Sequence, residues 1–371
     1  MQTVADARAI TRVGHLWLTD FRNFTHVDVE LAPGLTVLHG ANGQGKTSLL
    51  EAIGWVARAR SFRGVSDAML VRSGCEQAIV RASVVTGERE QLFEAEIRAV
   101  GRNRIMCNRQ TVTRARDLHG LLRVTVFAPD DLALVKDGPA LRRDYLDELL
   151  VMVAVRYDAA RGDFERVLKQ RNALLRGGVR DEEARTTLDV FDDQLVAAAA
   201  ELVRGRWGLI ERLLPAAQDA YGALAGDGRL IGGEYVAEWN DGGHTIEDAI
   251  RAALAHKRRA EIERGVTLVG PHRDEWRLTI DGLDARQQAS QGEQRTLALA
   301  LRLAGHRVVA DITDTAPVLL LDDVFSELDA QRASALVQNL PTGQTIVTTA
   351  GTVPADVVAE QRLTIADGQI V

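Results

Sequence analysis

The chain is poor in cysteine, in lysine and in long apolar runs, and each shortage excludes something. Two cysteines in 371 residues, Cys75 and Cys107, cannot make a disulfide framework, and neither has a partner at zinc-ligand spacing. The eight histidines are scattered, with no HxxxH pair. The longest uninterrupted apolar run, Leu149 to Val155, is seven residues, whereas a helix needs roughly 20 to span a bilayer. The opening MQTVADARAI has no cationic stretch leading into an apolar core, so it lacks the pattern of a secretory signal. The expectation is a cytoplasmic protein of a reducing compartment, with no membrane partner.

The composition is globular. Hydrophobic residues make up 46% and charged ones 26%, a balance that argues against disorder. The length predicts two or three domains at about 150 residues each. The net charge of −7 gives a nucleic-acid reading no support. Its distribution says more: from Arg98 to Arg116 there are six arginines and no acid. A local cationic stripe can hold a phosphate backbone on an acidic protein, because binding follows the local field. Arg102, Arg104 and Arg109 are its DNA-contact candidates. The basic residues are otherwise almost all arginine, with Lys46, Lys136, Lys169 and Lys257 the only lysines. An arginine-rich genome explains that bias as well as phosphate recognition does, so the bias decides nothing.

Along the chain, Leu16–Phe24 and Val27–Leu31 read as strands, and Leu35–His39 as a strand entering a glycine-rich loop and a helix from Lys46. Residues 78–113 are again strand-like. The character changes near Leu141, where Leu141, Tyr145, Leu149 and Met152 recur at helical spacing. Helical stretches continue past the Gly177-Gly178 break, and a last one starts at Thr245, a predicted N-cap, and ends at Gly265. Strands return around Val318, Ile346 and Leu363. The pattern predicts an α/β head over residues 13–140 and 266–371, interrupted by a helical lobe over 141–265. Residues 1–12 are expected to form a flexible tail.

The strongest motif is Gly40-Ala41-Asn42-Gly43-Gln44-Gly45-Lys46-Thr47-Ser48, which fits GxxxxGK[ST] between a predicted strand and a predicted helix. Its glycines let successive N–H groups turn inward as an anion nest, and the helix start adds a favourable dipole. Lys46 would reach the β- and γ-phosphates, and the Thr47 hydroxyl would ligate Mg²⁺. The second motif is Pro317-Val-Leu-Leu-Leu-Asp322-Asp323. Four apolar residues suit a strand buried on both faces, with the acids at its carboxyl end. Asp322 belongs beside the metal, and Asp323 beside the attacking water. A strand that ends in acids is common; the upstream phosphate loop gives this one its meaning.

A third motif sets the subclass. Ser290-Gln291-Gly292-Glu293 opens a helix about thirty residues before the acidic strand, and Asp329 closes the Ser-Glu-Leu-Asp segment after it. This is similar to the signature and D-loop of ABC-type ATPases, although Ala289 and Gln291 depart from LSGGE. The gap between Lys46 and Ser290 holds a modest helical lobe without sustained heptads. With Asp20-Phe-Arg-Asn-Phe24, Gly138-Pro-Ala-Leu-Arg142-Arg143, Leu268-Val-Gly-Pro-His272-Arg273-Asp274 and Leu320–Asp329, the chain resembles the RecF family over nearly its whole length.

That resemblance implies an ABC-type P-loop ATPase head with a mixed β-sheet, related to SMC and Rad50 heads, plus a helical lobe without long coiled coil. It implies ATP and Mg²⁺ as cofactors. It further implies an ATP-dependent homodimer in which Ser290 and Gly292 face the partner's ATP. Single-stranded and gapped double-stranded DNA would be bound, with RecR and RecO as partners and RecA loading as the indirect outcome, in repair, replication and the response to DNA damage. The rival is a transporter-type ABC ATPase subunit. Asp323 is one methylene shorter than the glutamate usual in the class, and Thr348 and Thr349 stand where many members place a histidine. Both departures predict slow hydrolysis suited to a switch, and with the resemblance they imply a weak, DNA-stimulated ATPase. Arg22 and Asn23 are expected near the nucleotide. Arg142 and Arg143 face DNA or form a solvated helix face, and His272 and Arg273 meet nucleotide or DNA. Trp55, Trp207 and Trp276 are expected in the core.

Overall fold

In the computed structural model the described residues are 9–113, 118, 120–240, 245–351, 353 and 357–371. Strands β1 (Ala9–Phe21), β2 (Phe24–Glu30) and β3 (Leu35–His39) lead into helix α1 (Lys46–Arg58). There follow β4 (Gln77–Thr86), β5 (Arg89–Arg98), β6 (Arg104–Cys107), β7 (Gln110–Val112) and β8 (Val124–Phe127). The middle of the chain carries α2 (Ala133–Lys136), α3 (Pro139–Val153), α4 (Arg156–Gly177) and the long α5 (Glu182–Ala225). Next come β9 (Ile231–Val236), α6 (Ile246–Arg264), β10 (Glu275–Ile280), β11 (Leu283–Asp284) and α7 (Ala285–Gln288). The last part is α8 (Gln291–Thr313), β12 (Thr315–Ala316), β13 (Val318–Leu321), α9 (Ala330–Gln338), β14 (Thr345–Thr349), β15 (Gln361–Ala366) and β16 (Gln369–Ile370).

The chain divides into two compact units. The first runs to Leu132 and takes in Ala216–Gly228 and Gln291–Val371; the second comprises Ala133–Pro215 and Arg229–Ser290. In the first unit one sheet has the order β16-β15-β3-β14-β13-β8 and is parallel from β15 to β8. Strands buried on both faces favour continuous apolar runs. β13, Val-Leu-Leu-Leu, follows that rule and is buried at every position, and β14, Thr-Ile-Val-Thr-Thr, is buried throughout although three of its five residues are threonines. The other sheet runs β12-β1-β4-β5-β6-β7 with β2 added to β1, and only its β1–β12 pair is parallel. Helix α1 packs against β1 and β4 of this sheet and against β14 and β8 of the first. Leu49, Ile53 and Trp55 therefore lie in one core with Leu16, Phe21, Leu320 and Ile346.

The second unit packs α4, α5 and α6 around Phe164, Leu195, Leu202, Ile250 and Leu254. Thr245 caps α6 as expected, its side chain accepting from the Asp248 N–H. The fully buried Arg171 is neutralised by Glu261 at 2.6 Å and Asp192 at 2.7 Å, as a buried cation must be.

Three expectations need correction. The second unit is not wholly helical, because β9, β10 and β11 form an antiparallel sheet inside it. Its limits are Ala133 and Ser290 rather than 141 and 265, and Ala216–Gly228 belongs to the first unit. The expected tail overlaps β1: Ala9 and Ile10 pair with β12, and Thr11 and Arg12 with β4. Residues 1–8 lie outside the described residues. Among the described residues no helix is long and apolar enough to cross a membrane.

Candidate functional site

The phosphate loop is shaped by close approach. Gly45 sits at φ 115°, in the left-handed region, and a Cβ there would lie 2.7 Å from the Asn23 amide and 2.8 Å from the Phe24 ring. Only glycine meets both demands. The Asn23 amide in turn donates to the Gln44 carbonyl at 2.8 Å, and the Gln44 side chain accepts from the Asp367 N–H. The loop is thus braced from the β1–β2 turn and from the β15–β16 turn. Helix α1 begins at Lys46 with no side-chain cap and no acid in its first turn. By contrast α9 is capped by Asp329. An uncapped helix start leaves first-turn N–H groups for an anion.

Lys46 is buried, and its ammonium donates to the carbonyls of Gly40 at 2.7 Å and Ala41 at 2.8 Å. Burial lowers its pKa, opposed by the carboxylates of Asp323 and Asp322. The Thr47 hydroxyl donates to Asp322 Oδ1 at 2.8 Å. The same oxygen accepts from the Thr348 hydroxyl at 2.7 Å, and the Asp323 N–H donates to Thr348 Oγ1 at 2.9 Å. Burial raises the Asp322 pKa, while the hydroxyls of Thr348 and Thr47 pull it down and the neighbouring Asp323 charge pushes it up. Asp323 leaves β13 in the left-handed region at φ 48°. Its Oδ2 accepts from the Ser326 hydroxyl at 2.9 Å, and its buried Oδ1 has no partner among the described residues.

These groups line one cavity of about 260 Å³: Asn42, Gly43, Gly45, Lys46, Thr47, Ser48, Asp322 and Asp323, joined by Arg63 and Thr348. Gly40, Ala41 and Gln44 support it from behind through the contacts above. Arg63 was not singled out in the sequence. It stands 17 positions after Lys46, past the end of α1, where no local pattern marks it. Hydroxyl and carboxylate oxygens on Thr47 and Asp322 are hard donors of the kind Mg²⁺ takes alongside phosphate and water.

The other candidates divide. Gln291 is exposed, and Gly292 and Glu293 are half-buried in the first turn of α8. None of these, nor Asp329, lines the cavity. The site of a Cβ on Gly292 lies 3.9 Å from Arg332, the residue Asp329 holds, so the signature turn and the D-loop are neighbours. Ser290 is exposed immediately before α8. Arg102, Arg104 and Arg109 are exposed on and around β6 and its turn into β7, and none makes an ion pair among the described residues. Arg114 and Arg116 lie outside the described residues.

Four expectations shift. Arg22 turns from the loop to the fully buried Glu51, gripping it through two nitrogens at 2.8 Å each. Arg142 is neither solvated nor open to DNA: it is 4% exposed and forks onto Glu275 at 2.8 and 2.9 Å. Arg143 donates to the Asp274 carbonyl at 2.8 Å, and His272 contacts the Thr267 carbonyl. The Gly-Pro-His-Arg-Asp turn is a scaffold. Asp274 accepts from Tyr235 and Trp239 at 2.8 Å each, and Arg206 joins the Pro271 carbonyl to a fork on Asp147. Trp55 and Trp276 are fully buried, as expected; Trp207 is half-buried and stacks on Trp239.

Residues 12–361 match the RecF/RecN/SMC N terminal domain. A relative from Frankia alni named DNA replication and repair protein RecF is 48% identical over 96% of this chain and 98% of its own. A protein of the same name from Streptomyces avermitilis is 45% identical over 96% and 99%. Among solved structures, the recombination mediator protein RecF-ATP in the RecFOR pathway superposes with a TM-score of 0.88 and 28% identity, covering 98% and 99% of the two chains. The Smc head domain from Pyrococcus furiosus shares the fold, at TM-score 0.59 and 16% identity, over 98% and 96%.

Proposed function

The chain belongs to the RecF family, and on that premise we propose that it is an ATP-dependent DNA-binding recombination mediator of DNA replication and repair. One observation carries the reading: Lys46, Thr47, Asp322 and Asp323 converge on a single cavity at an uncapped helix start, in a chain similar over its length to a RecF solved with ATP.

In this reading the α1 start and the loop amides take the β- and γ-phosphates, and Lys46 exchanges its carbonyl partners for phosphate oxygens. Thr47 and Asp322 would hold Mg²⁺, which when bound offsets phosphate charge. Asp323 orients the attacking water and accepts its proton at its carboxylate, whose Oδ1 has no partner among the described residues. Arg63 adds a cation at the cavity wall. A complete phosphate loop and a separate signature turn in one chain are reconciled by a two-fold dimer, in which Ser290 and Gly292 meet the γ-phosphate held by the partner's loop. Slow hydrolysis would then time release of the dimer.

Arg102, Arg104 and Arg109 would contact the DNA backbone. Gapped and single-stranded DNA are the proposed substrates, with RecO and RecR as partners in assisting RecA loading. The test is a mobility shift on gapped duplex with and without ATP. Binding that strengthens with ATP supports the reading. DNA binding absent in both conditions contradicts it.

A further inference from the structure

Arg63 lines the nucleotide cavity from a loop that is anchored on α1 at both ends. At one end the Ser61 hydroxyl donates to the fully buried Glu51 of α1 and accepts the Arg63 N–H at 3.1 Å. Arg22 secures this end by joining Glu51 to the Met69 carbonyl. At the other end Asp67 Oδ1 accepts from the indole N–H of Trp55, a fully buried residue of α1, at 3.2 Å. Helix α1 is the one that leaves the phosphate loop.

The second oxygen of Asp67 serves a different element. Oδ2 accepts from the Asn103 amide at 2.6 Å. Asn103 stands between Arg102 and Arg104 in the turn from β5 to β6, and its own oxygen accepts the Arg98 N–H at 3.0 Å. The orientation of the amide is therefore fixed, because it has one oxygen, which a donor has taken, and its NH₂ meets the carboxylate. Asp67 and Asn103 are half-buried, whereas Arg102 and Arg104 are exposed. Strands β5 and β6 are already paired with each other, and Trp55 already anchors the loop. The bond between Asp67 and Asn103 adds a link from the arginine turn to the cavity wall.

Given the function proposed for the cavity and for the arginines, we propose that the Asn103–Asp67 hydrogen bond couples DNA held on the Arg102–Arg104 turn to ATP held in the cavity. Phosphates on Arg102 and Arg104 fix the turn, the turn fixes Asp67, and Asp67 holds the Arg63 loop against the triphosphate. For binding the coupling is reciprocal: ATP tightens DNA binding by the factor by which DNA tightens ATP binding.

The test compares the full chain with Asp67→Asn and with the exchanged pair Asp67→Asn/Asn103→Asp. In Asp67→Asn one oxygen remains for Trp55, and an NH₂ faces the NH₂ of Asn103, so only the link between turn and loop is lost. The exchanged pair restores the link with donor and acceptor reversed, keeps an oxygen for the Arg98 N–H and leaves the net charge unchanged. Two ratios are read. One is the ATPase rate at saturating gapped duplex over the rate without DNA; the other is DNA affinity with a non-hydrolysable ATP analogue over affinity without nucleotide. Asp67→Asn is expected to lower both ratios at least about twofold, the scale of one hydrogen bond, with the DNA-free rate and the nucleotide-free DNA affinity unchanged. The exchanged pair is expected to regain both ratios. If Asp67→Asn fails to fold, Asn103→Asp alone, which sets two carboxylates against each other, takes its place in the cycle. Undiminished ratios in the folded single variant, no recovery in the exchanged pair, or a wild-type chain that binds gapped DNA with both ratios at one would overturn the coupling alone. A wild-type chain that binds no DNA would overturn the proposed function and the coupling with it.

Discussion

The Thr348 hydroxyl donates to Asp322 Oδ1 at 2.7 Å, and its oxygen accepts the Asp323 N–H at 2.9 Å. A fully buried, β-branched residue at the end of β14 thus fixes both acids of β13. A β-branched side chain has few χ1 choices, so the hydroxyl is held in register with the carboxylate. Thr348 is a positioning residue for the acidic pair.

Thr348→Val keeps the shape and removes the hydroxyl. Asp322 Oδ1 keeps the Thr47 hydroxyl but loses one of its two donors, and the Asp323 N–H loses its acceptor; together these should cost about 1–3 kcal/mol, felt mainly by the acids. ATP hydrolysis should fall roughly tenfold or more, by the factor of ten per 1.36 kcal/mol, while ATP affinity changes less. Thr348→Ser should restore most of the rate. Equal losses in affinity and rate in both variants would mean that Thr348 serves packing alone.

Lys46→Met removes the loop's cation. Hydrogen bonds to charged groups contribute about 1.5–3 kcal/mol, so ATP affinity should drop roughly ten- to hundredfold. Calorimetry measures it directly. Unchanged ATP binding would place the triphosphate elsewhere.

Replacing Arg102, Arg104 and Arg109 together with Ser should weaken binding to all DNA sequences alike. Each lost phosphate contact should reduce the slope of log K against log salt by about 0.9 on duplex DNA. A slope that stays constant while ATPase activity collapses would make the stripe structural.

His306 makes stability depend on acidity. Burial lowers its folded pKa from 6.5 to about 4. As pH falls from 6.5 towards 4, the unfolded chain takes up a proton that the folded chain refuses, and stability drops. The loss approaches on the order of 3 kcal/mol at the acid end of that window. His306→Leu should flatten the pH dependence of chemical denaturation between pH 4 and 6.5. An unchanged profile would show that the ring is not held neutral.

The parts of the site legible in the sequence are those written locally. The phosphate loop is one contiguous segment whose residue types follow from backbone needs, as Gly45 shows. The acidic strand is legible because β13 is buried on both faces. The missed parts depend on distant partners. Arg142 looked like a helix-surface charge until Glu275, 133 positions on, neutralised it. Arg22 looked like a nucleotide contact until Glu51 claimed it. Strand β9 carries Gly232 and Gly233, weak strand formers, and is fixed by its pairing with β10. The break between units at Pro215 falls inside the single helix α5, where periodicity gives no warning.

The two-fold ATP sandwich is the centre of the account, and the most direct test is the mass of the Ser290→Arg protein measured by light scattering with and without ATP. The wild-type chain should dimerise with ATP, and Asp323→Asn should hold the dimer longer by slowing the attack of water. Ser290→Arg should bind ATP nearly as well as wild type yet stay monomeric, because the bulky side chain fills the place of the partner's phosphate. A Ser290→Arg protein that still dimerises with ATP would contradict the sandwich and leave the signature turn an ordinary helix start.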